Sequence, residues 1–305
     1  FPTTVKALLY DSTYVDLPVT WEQTTLDTTV PGTYSLKGKV SGFPNDVLLK
    51  GTIKPKPESY EKLKDALVKL LGTNLKNVGI SFCDLTHGTT FSLNGDKQFL
   101  AASTAKVPIV MILYDLIKEG RLTEEQLVTY KSWEYQGGTG ILQYRDLSKP
   151  IPFRTLAEYA IRYSDNIAII MIQNNMCKRS ELNERLRTMI GSDLNNGKDN
   201  ILTANQAQAI LKILYHGANE GNVGYQQIVE WLKNTVFHDR LDRNIEHSIV
   251  AHKTGNLREA TNDIGIFYTN KPYILTVYTS FLSKPNAVIS SISDLVYDYQ
   301  AKYGN

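Results

Sequence analysis

Ser103-Thr104-Ala105-Lys106-Val107-Pro108-Ile109-Val110-Met111-Ile112-Leu113 decides how this chain is read. The stretch sets a hydroxyl and an amine three residues apart at the head of an apolar run. If the run is helical, residues i and i+3 share a face, so the Lys106 amine stands beside Ser103 Oγ and can take its proton. A serine in the first turn also gains from the positive end of the helix dipole as its oxygen becomes anionic. The ordinary reading of the same residues is a serine cap and a solvated lysine, and one S-x-x-K does not separate the two.

Two later tripeptides do. Ser164-Asp165-Asn166 follows a predicted helix, and Lys253-Thr254-Gly255 closes the apolar stretch Ile249-Val250-Ala251, a predicted strand. S-x-x-K, S-D-N and K-T-G in that order form the signature of class A β-lactamases and penicillin-binding proteins. From about residue 57 to residue 305 the chain resembles this superfamily of serine hydrolases. Ser103 is then the expected nucleophile, with Lys106 as its activator if burial leaves the amine neutral. The resemblance implies that Ser164 relays a proton to the departing nitrogen and that Asn166 holds Lys106 and a substrate amide. It also implies an oxyanion hole made by the backbone N–H groups of Ser103 and Asn256. Lys253 and the Thr254 hydroxyl are expected at a substrate carboxylate, and Gly255 leaves room for the substrate backbone. Asp165 is expected to point inward and fix its own loop.

The chain departs from class A enzymes between these motifs. Those enzymes carry a glutamate in a Glu-x-x-Leu-Asn loop that primes the deacylating water. Here the loop Gly191-Ser192-Asp193-Leu194-Asn195-Asn196-Gly197-Lys198-Asp199-Asn200 holds no glutamate and is short for an Ω-shaped wall. Glu181 matches the surface helix before the loop, whereas Asp193 and Asp199 are possible substitutes whose ordinary role is turn formation. Thr261 also stands where many class A enzymes have an arginine before the next Asn-Asp; Arg258 in the connecting turn is the nearest replacement, with an exposed turn arginine its more ordinary reading. The glycine-rich Trp133-Glu134-Tyr135-Gln136-Gly137-Gly138-Thr139-Gly140-Ile141-Leu142-Gln143 forms a cleft rim in the family. Trp133, Tyr135 and Gln143 are therefore candidate substrate contacts, with core packing the alternative for Trp133.

Composition sets the outer bounds. A chain of 305 residues that is 42% hydrophobic has room for two domains and a sizeable core. Its 33 basic and 31 acidic residues leave a net charge of +2 with no long run of one sign, which argues against nucleic-acid binding. No stretch reaches the roughly 18 apolar residues of a membrane span, and Phe1-Pro2-Thr3-Thr4 has no signal-peptide pattern, so the chain reads as a mature fragment. Cys83 and Cys177 read as buried free thiols. His87, His216, His238, His247 and His252 show no metal-ligand spacing, so neither metal nor cofactor is expected. His252, next to Lys253 on a strand, should face away from the cleft, and a Ser-His-Asp triad is unnecessary where S-x-x-K supplies a base.

The expected fold is α+β. Short β-branched segments at Val5–Tyr10, Tyr14–Trp21, Thr33–Val40 and Val47–Ile53, parted by turn signals, make residues 1–55 a small all-β module, read as a sandwich. Leu17-Pro18-Val19-Thr20-Trp21, Pro31-Gly32-Thr33-Tyr34 and Gly38-Lys39-Val40 resemble bacterial immunoglobulin-like repeats, and Lys54-Pro55-Lys56-Pro57 reads as a stiff linker. Residues 56–305 form the hydrolase domain. A helix at Glu58–Leu71 and strands at Asn77–Phe82 and Thr89–Leu93 come first. A helical middle runs from Ser103 to about Leu232, and strands at Ser248–Thr254, Asp263–Tyr268 and Tyr273–Phe281 precede a last helix at Val288–Tyr303. This order implies one antiparallel sheet built from both chain ends with a helical lobe inserted. The expected activity is that of a secreted or cell-surface, monomeric D,D-peptidase-like enzyme on peptidoglycan stem peptides, acylated by β-lactams and slow to hydrolyse them. A class A-type β-lactamase with an atypical deacylation route and a noncatalytic wall-binding protein are the alternatives.

Overall fold

The structure is a computed structural model that describes residues 1–9, 13–22, 32–53, 59–191, 194 and 200–303. The chain separates into two compact units, Phe1–Pro57 and Glu58–Asn305.

In the first unit, β1 (Thr4–Leu8), β2 (Tyr14–Trp21), β3 (Gly32–Val40) and β4 (Val47–Ile53) pair in chain order into one antiparallel sheet. Turn residues placed β2 and β4 at their observed bounds. The described strands form a single meander rather than the two facing sheets of a sandwich, since four short strands complete only one layer. Alternation along β3 buries Leu36, Gly38 and Val40 on one face. Gly38 is required there because a Cβ would fall 2.6 Å from the Trp21 ring, which lies across it. The linker Lys54–Pro57 lies outside the described residues.

The second unit opens with α1 (Tyr60–Leu71), capped by Ser59 Oγ accepting from the Lys62 N–H at 3.2 Å. Leu63, Leu67 and Leu71 recur at helical spacing and are buried. There follow β5 (Val78–Asp84), β6 (Thr90–Leu93), β7 (Phe99–Leu100), α2 (Lys106–Lys118), β8 (Leu127–Val128), β9 (Ile151–Pro152), α3 (Phe153–Arg162), α4 (Asn166–Met176) and α5 (Arg179–Ile190). The chain continues through β10 (Ile201–Leu202), α6 (Ala204–Asn219), α7 (Val223–Lys233), β11 (Val250–Leu257), β12 (Ala260–Phe267), β13 (Tyr273–Thr279) and α8 (Pro285–Tyr303). The main sheet has the order β11-β12-β13-β5-β6, antiparallel throughout, so both chain ends build it as the sequence pattern requires. The lobe between β7 and β11 is not wholly helical: β8 pairs with β9, and β10 returns to pair with β7.

Both faces of the sheet are covered, which is why β13 reads as a continuous apolar run. Tyr273, Leu275 and Val277 pack with Leu63, Leu67, Ile289 and Ile292 of α1 and α8. Ile274 and Tyr278, on the other face, join the core of the lobe with Ile109, Met111 and Ile210. Cys83 is buried in β5 and Cys177 is half-buried after α4, neither in a disulfide. Among the described residues no helix is long and apolar enough to cross a membrane.

One buried carboxamide ties the sheet to the lobe. Asn262 Nδ2 donates to Leu100 O (2.7 Å) and Ala101 O (3.3 Å), while its Oδ1 accepts from the Thr279 N–H (3.1 Å). Asn262→Ala leaves Leu100 O and the Thr279 N–H buried without partners, so it should cost about 3 kcal/mol. A urea-denaturation midpoint that falls at unchanged slope is the expected result.

Candidate active site

Ser103 lies in a 3-10 turn, Ala102–Ala105, that runs directly into α2 at Lys106. The sequence placed it in the first turn of the α-helix itself; the tighter turn keeps the pairing, because three residues complete one 3-10 turn and put Ser103 and Lys106 on the same side. The turn is entered through Ala102 at φ 50°, a left-handed conformation that costs a non-glycine residue roughly 1 kcal/mol or more. Neighbouring groups hold it there. The Thr104 hydroxyl donates to Ala101 O (2.7 Å) and meets the Tyr278 hydroxyl (2.8 Å), and the Asn262 amide reaches the same carbonyl.

Strand β11 completes the clamp. It continues through Lys253-Thr254-Gly255 to Leu257, so the tripeptide sits inside the strand and not at its end. A Cβ at Gly255 would lie 2.9 Å from Ala101 O and 3.2 Å from Ser103 N. The missing side chain is therefore required by the turn carrying Ser103, a reason different from the room for substrate that the sequence suggested.

Both lysines are buried, and they meet at one hydroxyl. Lys106 Nζ donates to Ser164 O (2.5 Å) and Asn166 Oδ1 (2.8 Å) and stands 3.4 Å from Ser164 Oγ. Lys253 Nζ donates to Ser164 Oγ (3.0 Å) and to Thr254 O (3.1 Å). Burial, then the charge of Lys253, holds the Lys106 amine well below the usual lysine range. Burial lowers Lys253 to about 7, with Arg240 adding to the fall and Asp263 opposing it. A neutral Lys106 has two N–H groups, and the two short contacts use both, which leaves its lone pair for a further proton. Ser164 itself adopts φ 55°, so two strained residues, Ala102 and Ser164, flank the reaction space.

Asp165 caps α4 and closes the adjoining loop. Its Oδ1 accepts from the Ala168 N–H (2.9 Å) and its Oδ2 from the Leu142 N–H (2.8 Å). The glycine-rich segment folds over this cap: the Thr139 hydroxyl donates to Ser164 O (2.8 Å) and Asn166 Nδ2 donates to Gly137 O (3.0 Å). Gly140, at φ 116°, is obligatory because a Cβ would overlap the Asp165 carboxyl. Gln143 Nε2 donates to Gly138 O and Gly140 O, both at 2.9 Å, so its amide nitrogen shapes the loop. Trp133 is 65% exposed, which removes the core-packing alternative, and Tyr135 is exposed beside it. Buried Glu134 fixes this rim by accepting from the Lys131 N–H (2.9 Å) and Asn174 Nδ2 (3.0 Å).

Sequence reasoning missed Arg240. It is buried, donating to Asn262 O (2.8 Å), Gly255 O (3.4 Å), Asn256 Oδ1 (2.8 Å) and Asn286 Oδ1 (3.2 Å). It supplies fixed positive charge behind β11, whereas Arg258, the residue singled out beforehand, is exposed in the following turn. Glu181 forms no part of the site. Hydrogen bonds from Arg121 and then Arg185 hold its carboxyl at about 2 on the surface. Asp193 and Asp199 lie outside the described residues.

His252 faces away from Ser103, against Asp263 (3.0 Å) and Asp242 (3.2 Å). Burial disfavours its charge, yet the two carboxylates push it up to about 10. His238, Asp242 and His247, which the sequence reading did not group, converge in space. The signal was present as His238-x-x-x-Asp242-x-x-x-x-His247, a spacing that only the intervening loop brings together.

A serine and a buried lysine carried on one turn, set where a helical lobe meets an antiparallel sheet, are the parts a serine hydrolase that works through an acyl-enzyme requires. A family model described as the β-lactamase enzyme family matches residues 62–300, and the chain belongs to that family. A model of bacterial Ig-like domains (group 4) matches residues 1–43. Among solved structures, PBP-A is 23% identical at a TM-score of 0.73, covering 81% of this chain and 99% of its own. A β-lactamase from Sphaerobacter thermophilus DSM 20745 is 20% identical at 0.70, covering 80% and 97%. An ancestral class A β-lactamase is 23% identical at 0.70, covering 77% and 99%. A search of curated proteins found no match.

Gly255→Ala should lower the rate of penicillin acylation by about 100-fold or more, because a displacement of about 1 Å at the reacting serine is enough for that loss; stopped-flow acylation reads it. Lys253 supplies a pH test. Its folded value, about 7, lies below its unfolded value, so between about pH 7 and about 10.4 the unfolded chain binds more protons and stability contributed at this site rises with pH. Relative to wild type, Lys253→Met should remove that rise from a plot of unfolding free energy against pH.

Proposed function

We propose that the chain is a D,D-peptidase-like acyl-serine enzyme that acts on peptidoglycan stem peptides outside the cytoplasm and is trapped, rather than turned over rapidly, by β-lactams. In this reading Ser103 Oγ gives its proton to neutral Lys106 and attacks the substrate carbonyl carbon. The oxyanion forms against the backbone N–H groups of Ser103 and Asn256, each donor contributing roughly 3 kcal/mol. As the C–N bond breaks, Ser164 Oγ–H protonates the departing nitrogen and recovers a proton from Lys106, which ends neutral as it began. The contacts of the Ser164 hydroxyl with both amines support this relay, and Lys253 keeps it in a positive field. Lys253 and Thr254 receive the substrate carboxylate, while Arg240, its donors already engaged, positions β11.

The observation that carries the choice of peptidase is the loop after α5. The family's Leu-Asn occurs as Leu194-Asn195, and Gly191 stands in the register of the deacylating glutamate. General base catalysis of the second step contributes roughly 10²- to 10⁴-fold, so its loss makes a long-lived acyl-enzyme. A solved acyl-enzyme of a PBP-A mutant with penicillin G supports acylation chemistry on this fold. The Ig-like module, a bacterial type, supports an extracytoplasmic, surface-associated setting.

Intact-protein mass spectrometry after penicillin G, paired with a steady-state nitrocefin assay, tests the reading. A persistent single adduct that is lost in Ser103→Ala, with little turnover, is expected. Rapid turnover instead identifies a β-lactamase, and no adduct on folded wild type identifies a noncatalytic protein.

A further inference from the structure

The loop between α7 and β11 gathers four histidine and aspartate side chains that the reaction does not use. His238 Nδ1 lies 2.5 Å and His247 Nδ1 2.7 Å from Asp242 Oδ2, and His252 Nε2 lies 3.2 Å from the same oxygen. A carboxylate oxygen offers about two lone-pair directions, so three ring nitrogens crowd it. Meanwhile Asp242 Oδ1 is buried with no hydrogen-bond partner. Protons alone leave this arrangement lopsided.

The histidine rings add a second indication. Those of His238 and His247 lie with centroids 4.0 Å apart, each turning its Nδ1 toward the same Asp242 oxygen. Their side chains are 34% and 50% exposed while Asp242 is fully buried, so the group is open to solvent on its histidine side. Asp263, accepting from the Leu241 N–H (3.1 Å) and facing His252 Nδ1 (3.0 Å), anchors the group from behind.

We propose that His238, Asp242 and His247 form a binding site for a divalent transition metal, zinc by preference. Two imidazoles and one carboxylate are a zinc-type ligand set with a fourth position left for water. The ligand atoms lie within 4.8 Å of one another. Tetrahedral zinc with bonds of about 2.0–2.1 Å spaces its ligands by about 3.3 Å, so the two rings need shifts of under about 1 Å. Neither histidine is fixed in a regular helix or strand: one follows α7 and the other opens a 3-10 turn, His247–Ile249. Arg240 lies within the loop so closed and bonds to Gly255 O and Asn256 Oδ1. The ion would therefore fasten the segment that braces the catalytic strand without touching substrate.

The test uses the whole chain stripped with a chelator and exchanged into metal-free buffer. Calorimetric titration with Zn²⁺ should show one ion per chain, and Zn²⁺ should raise the thermal midpoint. Co²⁺ in its place should give the visible bands of a tetrahedral N/O site. His238→Gln/His247→Gln keeps an amide donor toward Asp242 at each position and should weaken Zn²⁺ binding at least 100-fold, while folding and penicillin acylation persist. His216→Gln, an exposed histidine outside the group, should leave binding unchanged. The proposal is overturned if folded wild type binds no stoichiometric Zn²⁺ at millimolar concentration, or if the double variant binds as wild type does. Both readouts are independent of whether β-lactams are trapped.

Discussion

The arrangement at the head of α2 depends on keeping two lysine amines out of water beside one hydroxyl. A buried ammonium is costly, and two close together repel, so the pair relieves itself by Lys106 giving up its proton rather than by either amine leaving the interior. Ser164 makes that possible. Its carbonyl and hydroxyl, with Asn166 Oδ1 and Thr254 O, supply the acceptors that either form of the amines needs. Much of the surrounding structure serves to hold Ser164 in its left-handed conformation: the Asp165 cap, the Thr139 hydroxyl on its carbonyl, and a glycine at position 140 that lets the loop close over it. A change to any of these would be felt as a change in the basicity of Lys106.

Ser103 sits on the seam where the core inside the lobe, which takes in its neighbours Ala101 and Ala105, meets β11 of the sheet. Seams are where a fold can present polar groups without opening its packed interior. Gly255 and Asn262 close this one, the first by removing a side chain and the second by spending its whole amide on backbone. The strain at Ala102 is stored against that rigid backing, so the Ser103 N–H is held in a fixed direction.

How much could be read in the sequence depends on the range of the interactions involved. The strands of the main sheet and helix α1 were legible because their burial leaves periodic marks in consecutive residues, and the three motifs were legible because each is short and local. Their meeting was legible only through resemblance. Trp133 could not be assigned, since a tryptophan in a glycine-rich loop carries no periodicity that separates core from surface. Arg240 was invisible because its acceptors lie on β11, β12 and α8, well separated from it in the chain. The same holds for His238, Asp242 and His247: the first two stand at helical spacing, but they lie outside any helix and only the loop after α7 brings His247 to them.

The pairing of β13 with β5 has a consequence for synthesis. Tyr273 lies opposite Asp84 and Thr279 opposite Val78, so an early strand waits for a partner made almost two hundred residues later. Until β13 leaves the ribosome, the hairpin of β11 and β12, with Lys253, has no link to β5 and β6, and the apolar helices of the lobe have no complete sheet to pack on. Contacts so distant in the chain are slow to form and leave apolar surface uncovered meanwhile. A chain that terminates before β13 thus lacks the sheet against which the two lysines are buried.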